Sequence, residues 1–185
     1  MSRSGTKGRV DGIVKVQVVD YDDNWVSLFQ QEADKLKRTF DRELIGIHHI
    51  GSTSVPQLHA KPIIDMMPVV RNIDRVDTYN SQMELIGYEC MGEFGIPGRR
   101  YFRKGGDDRT HHVHVFEVND NNVLRHLAFR DYLRTHRDDA TRYASLKREL
   151  AEKFPNDIQA YMDGKDALVK DIEKKAVAWY QGQKA

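Results

Sequence analysis

Residues 61–70 read Lys-Pro-Ile-Ile-Asp-Met-Met-Pro-Val-Val, a nearly continuous apolar run broken by a single acid, Asp65. A strand with one wet face alternates apolar and polar residues, so an unbroken run predicts a strand covered on both faces, in the middle of a sheet. An acid inside such a run is out of place unless it has a partner or a task, which makes Asp65 the sharpest local anomaly of the chain.

The flanking segments supply the rest of a mixed architecture. Residues 14–18 alternate Val with Lys and Gln as a half-buried strand does, and Asp20-Tyr21-Asp22-Asp23-Asn24 then offers turn and capping groups. Trp25, Phe29, Ala33, Leu36 and Phe40 recur at helical spacing, predicting a helix through Phe40 with Glu32, Asp34, Lys35 and Lys37 on its wet side. Residues 45–50 are rich in Ile and stop at Gly51-Ser52, a strand feeding a tight turn. Val76, Tyr79, Met83 and Ile86 predict a helix over residues 74–86 that ends at Gly87. Residues 88–91, 101–104 and 112–116 read as further strands, the last two as neighbours in a hairpin. Residues 124–134, 140–154 and 157–180 read as helices, with Pro155 separating the second from the third. Strands mostly first and helices last predict an α+β, or mixed α/β, fold with a helical C-terminal third.

A chain of 185 residues, 39% of them hydrophobic, can bury one core, so a single domain over residues 13–182 is expected, preceded by a flexible polar tail over residues 1–12. Lys+Arg 29 against Asp+Glu 28 leaves a net charge of +1, which gives no general pull toward nucleic acid or an anionic membrane; any anion site must be local. No stretch approaches the roughly 20 apolar residues of a membrane span, and the one cysteine, Cys90, cannot form an internal disulfide, which fits a soluble protein of the reducing cytoplasm. Cys90 is expected to be a small buried residue without a chemical role.

Candidate chemistry gathers around Asp65. The small residues of Gly51-Ser52-Thr53-Ser54 end a strand, where their amides and hydroxyls can either approach a phosphate closely or simply cap a turn. A Gly-Ser turn followed by an acid on an apolar strand can bring phosphate and divalent metal together, giving Asp65 and Ser52 catalytic roles. His112 and His114 share a strand face and can present two imidazoles to one metal, with Asp65 as the third ligand; the same pair can equally pack, or meet a phosphate. That donor set suits zinc or manganese, while magnesium asks for more oxygen ligands. Lys61 and Arg100 are further phosphate candidates, Arg100 from a basic segment that serves either as an anion clamp or as a solvated hairpin. His49 shares sequence parity with Gly51 and is preferred to His48 as an addition to the site; Arg130 is a rim candidate. Lys147, Tyr161 and Lys165 read as helix surface, and His59, His126 and His136 as residues outside the site.

The Gly-Ser turn and the acid that follows resemble the nucleotidyltransferase superfamily that includes DNA polymerase beta. There a second metal-binding acid stands two residues beyond the first, a position held here by Met67. His49-Ile50-Gly51-Ser52-Thr53-Ser54-Val55-Pro56, Ala60-Lys61-Pro62-Ile63-Ile64-Asp65, Gly98-Arg99-Arg100-Tyr101-Phe102-Arg103-Lys104, His111-His112-Val113-His114 and Phe129-Arg130-Asp131-Tyr132-Leu133-Arg134 together resemble the GrpB-like family. The resemblance implies a nucleotidyltransferase-like core with a mixed β-sheet, in a bacterial protein that usually stands alone and in some actinobacteria is fused to dephospho-CoA kinase. The expected activity is metal-assisted nucleotidyl or phosphoryl transfer with a nucleotide or other phosphorylated small molecule. The alternative is a degenerate domain that binds a nucleotide, a coenzyme A precursor or a protein partner without turnover.

Overall fold

The computed structural model describes residues 15–184; the tail expected over residues 1–12 and the Val14 end of the first expected strand lie outside the described residues. Helix α1 (Asn24–Phe40) leads into strand β1 (Leu44–Ile50), and β2 (Ile64–Val70) follows after a 3₁₀ turn at Ser52–Ser54. Two short helices, α2 (Ile73–Val76) and α3 (Asn80–Leu85), precede β3 (Tyr88–Cys90), β4 (Arg100–Lys104) and β5 (His111–Glu117). Three helices close the chain: α4 (Asn121–Thr135), α5 (Arg137–Lys153) and α6 (Ile158–Gly182).

The five strands form one mixed sheet in the order β1-β2-β5-β4-β3. β2 is antiparallel to β1 and parallel to β5, and β4 is antiparallel to both β5 and β3. The apolar run of β2 is explained by its place inside the sheet with both faces covered. On one face Ile64, Met66 and Val70 pack with Trp25, Leu36 and Phe40 of α1 and with Val76 and Met83 of the short helices. On the other, Met67 and Val69 pack with Ile50 and Phe116 against Val123 and Leu127 of α4. A further apolar cluster joins α4, α5 and α6 through Ala128, Leu133, Ala140, Ala144, Leu168 and Ile172, and takes in Val55 and Leu58 of the segment after β1. A mixed α/β fold with a helical C-terminal third is what the order of elements predicts.

Three expectations are corrected. Residues 16–18 do not form a strand; Val19 makes a single antiparallel bridge with Ala60, and Val16 packs on Leu150 and Tyr161, so the alternation reflects docking on the helices. The helix expected over residues 74–86 is broken by a 3₁₀ turn at Asp77–Tyr79, where the Thr78 hydroxyl donates to the Arg75 carbonyl at 2.7 Å and competes with the helical ladder. Val76 and Met83 still face the sheet. Glu32 is buried at 3% exposure on the inner side of α1, where its carboxylate accepts from Lys104 at 2.7 Å, Lys35 at 2.9 Å and the Tyr88 hydroxyl at 3.0 Å. Its charge is balanced by Lys104, on a strand distant in sequence, which helical spacing cannot reveal.

Candidate functional site

Parallel pairing of β2 with β5 sets Asp65 directly beside His112, and His114 two residues on shares its face. One oxygen of Asp65, Oδ1, lies 3.1 Å from Nε2 of His114 and 3.4 Å from Nδ1 of His112. Burial works against charge on Asp65, but hydrogen bonds and charge interactions with the two imidazoles outweigh it and hold the carboxyl well below the usual range. One ligand atom from each of the three side chains falls within 4.8 Å of the others, a group that could hold one metal ion once the side chains draw in around it. Two imidazoles and a carboxylate are a donor set for zinc, manganese or iron, and the three groups border a cavity that leaves room for further ligands.

That cavity, of about 400 Å³, lies between the Gly51–Thr53 turn, β2 and β5 on one side and α4, α5 and α6 on the other. Gly51 is needed where the turn crosses Asp65. It has φ of 71°, and a Cβ there would stand 2.6 Å from Oδ2 of Asp65. The next residue, Ser52, brings its hydroxyl to the cavity and accepts a hydrogen bond from Nζ of Lys147 at 2.9 Å. Lys147 also donates to the His59 carbonyl and is 2% exposed. Burial, then the neighbouring charges of Lys165 and Lys61, lowers its pKa to about 7. Lys61 and Lys165 line the same cavity and are also lowered, chiefly by burial. Arg125 is anchored by Glu173 at 2.6 Å, and His126 beside it is lowered to about 3 by burial and then by the Arg125 charge. Four basic side chains thus meet two carboxylates around one cavity.

Gly51, Ser52, Thr53, Lys61, Asp65, His112 and His114 come together here as residue type and spacing suggest. Thr53 borders the cavity without offering it a free hydroxyl, and the rest of the expected set is placed elsewhere. Thr53 and Ser54 are buried with their hydroxyls committed to the turn: Thr53 donates to the Ile63 carbonyl at 3.2 Å and Ser54 to the Gly51 carbonyl at 2.5 Å. His49 is on the opposite face of the sheet. The register pairs Ile50 with Asp65, so His49 faces α1, where its ring stacks on Phe29 at 4.8 Å between centroids and Nε2 meets the Thr53 hydroxyl at 2.9 Å. Parity misleads because strand alternation ends at Ile50, before the turn at Gly51. Arg100 also faces away, held by Asp77 at 2.6 Å and Asp74 at 3.4 Å. Its neighbour Arg99 is on the site face and approaches Nδ1 of His114 at 3.4 Å. Arg130 supports from behind, donating to the His49 carbonyl at 3.2 Å.

Lys147 and Lys165, expected on helix surface, and His126, expected outside the site, line the pocket, as does Arg125, which no sequence pattern singles out. One signal was available. Lys147 follows Ala140, Tyr143 and Ala144 on the apolar stripe of α5, a position where a lysine must be buried or paired. Cys90 is half-buried with its sulfur 3.6 Å from the Asn80 carbonyl.

Fold and site define a small mixed α/β protein with a basic cleft at one end of a five-stranded sheet. The family model described as GrpB protein matches residues 15–175, and the chain belongs to the GrpB family. It is 48% identical to the UPF0157 protein YqkA of Bacillus subtilis over 169 residues, covering 91% of this chain and 49% of that protein, so it spans about half of that relative's length. It is 33% identical to the glutamate-rich protein GrpB of Alkalihalophilus pseudofirmus over 163 residues, covering 85% of this chain and 94% of that one. The crystal structure of the conserved protein GrpB from Enterococcus faecalis superposes with a TM-score of 0.87 at 49% identity, covering 89% of this chain and 99% of that chain. No helix among the described residues is long and apolar enough to cross a membrane.

Proposed function

We propose that the cleft binds a phosphorylated small molecule, with a nucleotide as the ligand class, and carries out metal-assisted phosphoryl or nucleotidyl transfer. The observation that carries this reading is the meeting of the Asp65, His112 and His114 donors with Lys61, Lys165, Arg125 and Ser52 on one cavity. Asp65, His112 and His114 would hold the metal, which when bound supplies Lewis-acid polarisation of a phosphate oxygen. Lys61, Lys165 and Arg125 bind the remaining phosphate oxygens, and Ser52 meets the phosphate at the turn. Crowded ammonium groups repel one another and lose their water on burial, so an anion that enters relieves both costs at once.

The test is thermal melting of wild type and Asp65→Ala with ATP, CTP, GTP, UTP or dephospho-CoA, each with Mg²⁺, Mn²⁺ or Zn²⁺. A ligand at about 100 times its Kd contributes about 2.7 kcal/mol, which for a domain of this size raises Tm by about 5–10 °C. A metal-dependent rise that disappears in Asp65→Ala supports the reading. Wild type and Asp65→Ala responding alike to every pair would remove the metal from it.

A second reading, binding without turnover, is favoured by Met67. It stands where the resemblance to nucleotidyltransferases implies the second acid, is fully buried, and packs with Ile50, Val69 and Phe116. Arg99 adds weight to that reading. A guanidinium only donates, so its contact with Nδ1 of His114 leaves the ring proton on Nε2, the atom a metal would need. Under this reading nucleotides raise Tm with or without metal, and no product forms.

A further inference from the structure

We propose that Ser52 is the nucleophile of the cleft and Lys147 its general base, so that the transferred phosphoryl group passes through a phosphoserine at Ser52. This rests on the transfer reading above and names the acceptor within it. Nζ of Lys147 reaches Ser52 Oγ at 2.9 Å and the His59 carbonyl on its other side. As an ammonium Lys147 donates to both oxygens; as a neutral amine it keeps one N–H on the carbonyl while its lone pair accepts the Ser52 proton. The surroundings keep Lys147 ready for that state. It is 2% exposed and faces Lys61 from the segment before β2, Lys165 and Tyr161 of α6, and the Tyr143 ring of its own helix at 4.4 Å. Of the two carboxylates that border the cavity, Asp65 is held by the two imidazoles and Glu173 by Arg125. Burial and the two lysine charges bring its ionisation near neutrality, where a general base is most effective. Serine needs such a partner, because its hydroxyl is a weak nucleophile unaided.

In the first step Ser52 Oγ bonds to the terminal phosphorus of the substrate as the bond from phosphorus to the leaving oxygen breaks. That oxygen departs with the electron pair, and the serine proton passes to neutral Lys147. Water then bonds to phosphorus and the P–Oγ bond breaks with its electron pair on Oγ. Lys147 returns its proton to Oγ, and the proton of the water leaves with the released phosphate.

An alkyl fluorophosphonate probes the pair without the natural ligand, since the serine oxygen displaces fluoride from phosphorus in the same geometry. Wild type is expected to gain one alkylphosphonyl group, located on Ser52 by peptide mass spectrometry, at a rate that rises with pH until Lys147 is neutral and then levels. Ser52→Ala should remain unlabelled. Lys147→Arg keeps a donor for the His59 carbonyl, which preserves folding, yet cannot take up a proton; it should label about 100-fold more slowly, without the rise. Labelling of other residues alone, or Lys147→Arg reacting at the wild-type rate, overturns the proposal. Turnover of p-nitrophenyl phosphate with Mn²⁺ separates this from the transfer reading. Turnover that survives in Ser52→Ala overturns the covalent step and leaves metal-assisted transfer standing. An acid-stable gain of one phosphate on Ser52, absent from Lys147→Arg, supports it; labelling of Ser52 by the fluorophosphonate that persists in Asp65→Ala while turnover is lost supports the pair and assigns the metal to turnover.

Discussion

The His49 imidazole is a buried base whose one hydrogen-bond partner among the described residues is the Thr53 hydroxyl. Burial, set against the opposing charge of Asp65 and aided by Arg134 and Arg130, lowers its pKa to about 4. In the unfolded chain the imidazole takes up a proton near its ordinary value of about 6.5, so between these two values the unfolded state binds more protons. The stability that neutral His49 confers is therefore complete above about pH 6.5 and is lost as pH falls toward 4, a change of about 3 kcal/mol. Urea denaturation of wild type and His49→Gln from pH 8 to 4.5 checks this. The glutamine keeps a donor for Thr53 and cannot be charged, so its curve should be flatter; parallel curves would show that His49 protonates inside the fold at no cost. Residue type and parity made Asp65, His112 and His114 legible in the sequence, because an acid in an apolar run and two histidines two apart are chemical anomalies wherever the strands lie. Strand alternation sets Arg99 and Tyr101 on one face and Arg100 on the other, without saying which face meets Asp65. Lys165 was illegible as a site residue because helical lysines are common on surfaces; the apolar stripe of α5 marks Lys147 as buried but not what it meets, since only the packing of α5 and α6 against the Gly51–Thr53 turn encloses both.

At the scale of elements, β3 and β4, the pair at one edge of the sheet, are tied to α1 by one buried carboxylate. Glu32 accepts hydrogen bonds from Lys104 of β4 and the Tyr88 hydroxyl of β3, while Lys35 pairs with it along the helix. Burial opposes its charge, but the bonds from Lys104 and Lys35 prevail and keep it ionised. Removing one member of such a network leaves the other charge buried and unpaired. Glu32→Ala should therefore cost about 3–5 kcal/mol, whereas Glu32→Leu combined with Lys104→Met should recover most of that loss. Chemical denaturation of the three proteins decides: a double variant no better than the single one would mean that shape, not charge, is what the cluster supplies. Existence and type of the main elements were legible from periodicity and punctuation, including the β4–β5 hairpin. The parallel pairing of β2 with β5 was not, since an apolar run says that a strand is covered without saying by which neighbour. The same limit made residues 16–18 read as a strand: period two records which side of a segment is buried, whether a sheet or a helix buries it.

At the scale of the molecule, the cavity is the seam between the sheet and the C-terminal helices. Whatever fills it joins the two layers. With saturating ATP and Mn²⁺, amide hydrogen exchange should slow along α5 and α6 as well as at the Gly51–Thr53 turn, while α3 and β3 on the far edge exchange as before. Protection confined to β2 and β5 would mean that the helices only roof the site and take no part in binding. Asp65 and His114 stand 49 positions apart in sequence and meet through the β2–β5 pair, a parallel pairing that must wait for the intervening strands and helices to be made. A chain still on the ribosome with β5 inside the exit tunnel has no complete donor set. On the proposed metal reading, capture is reserved for molecules that have joined β2 to β5, and affinity for the ion would report a completed sheet as much as chemistry.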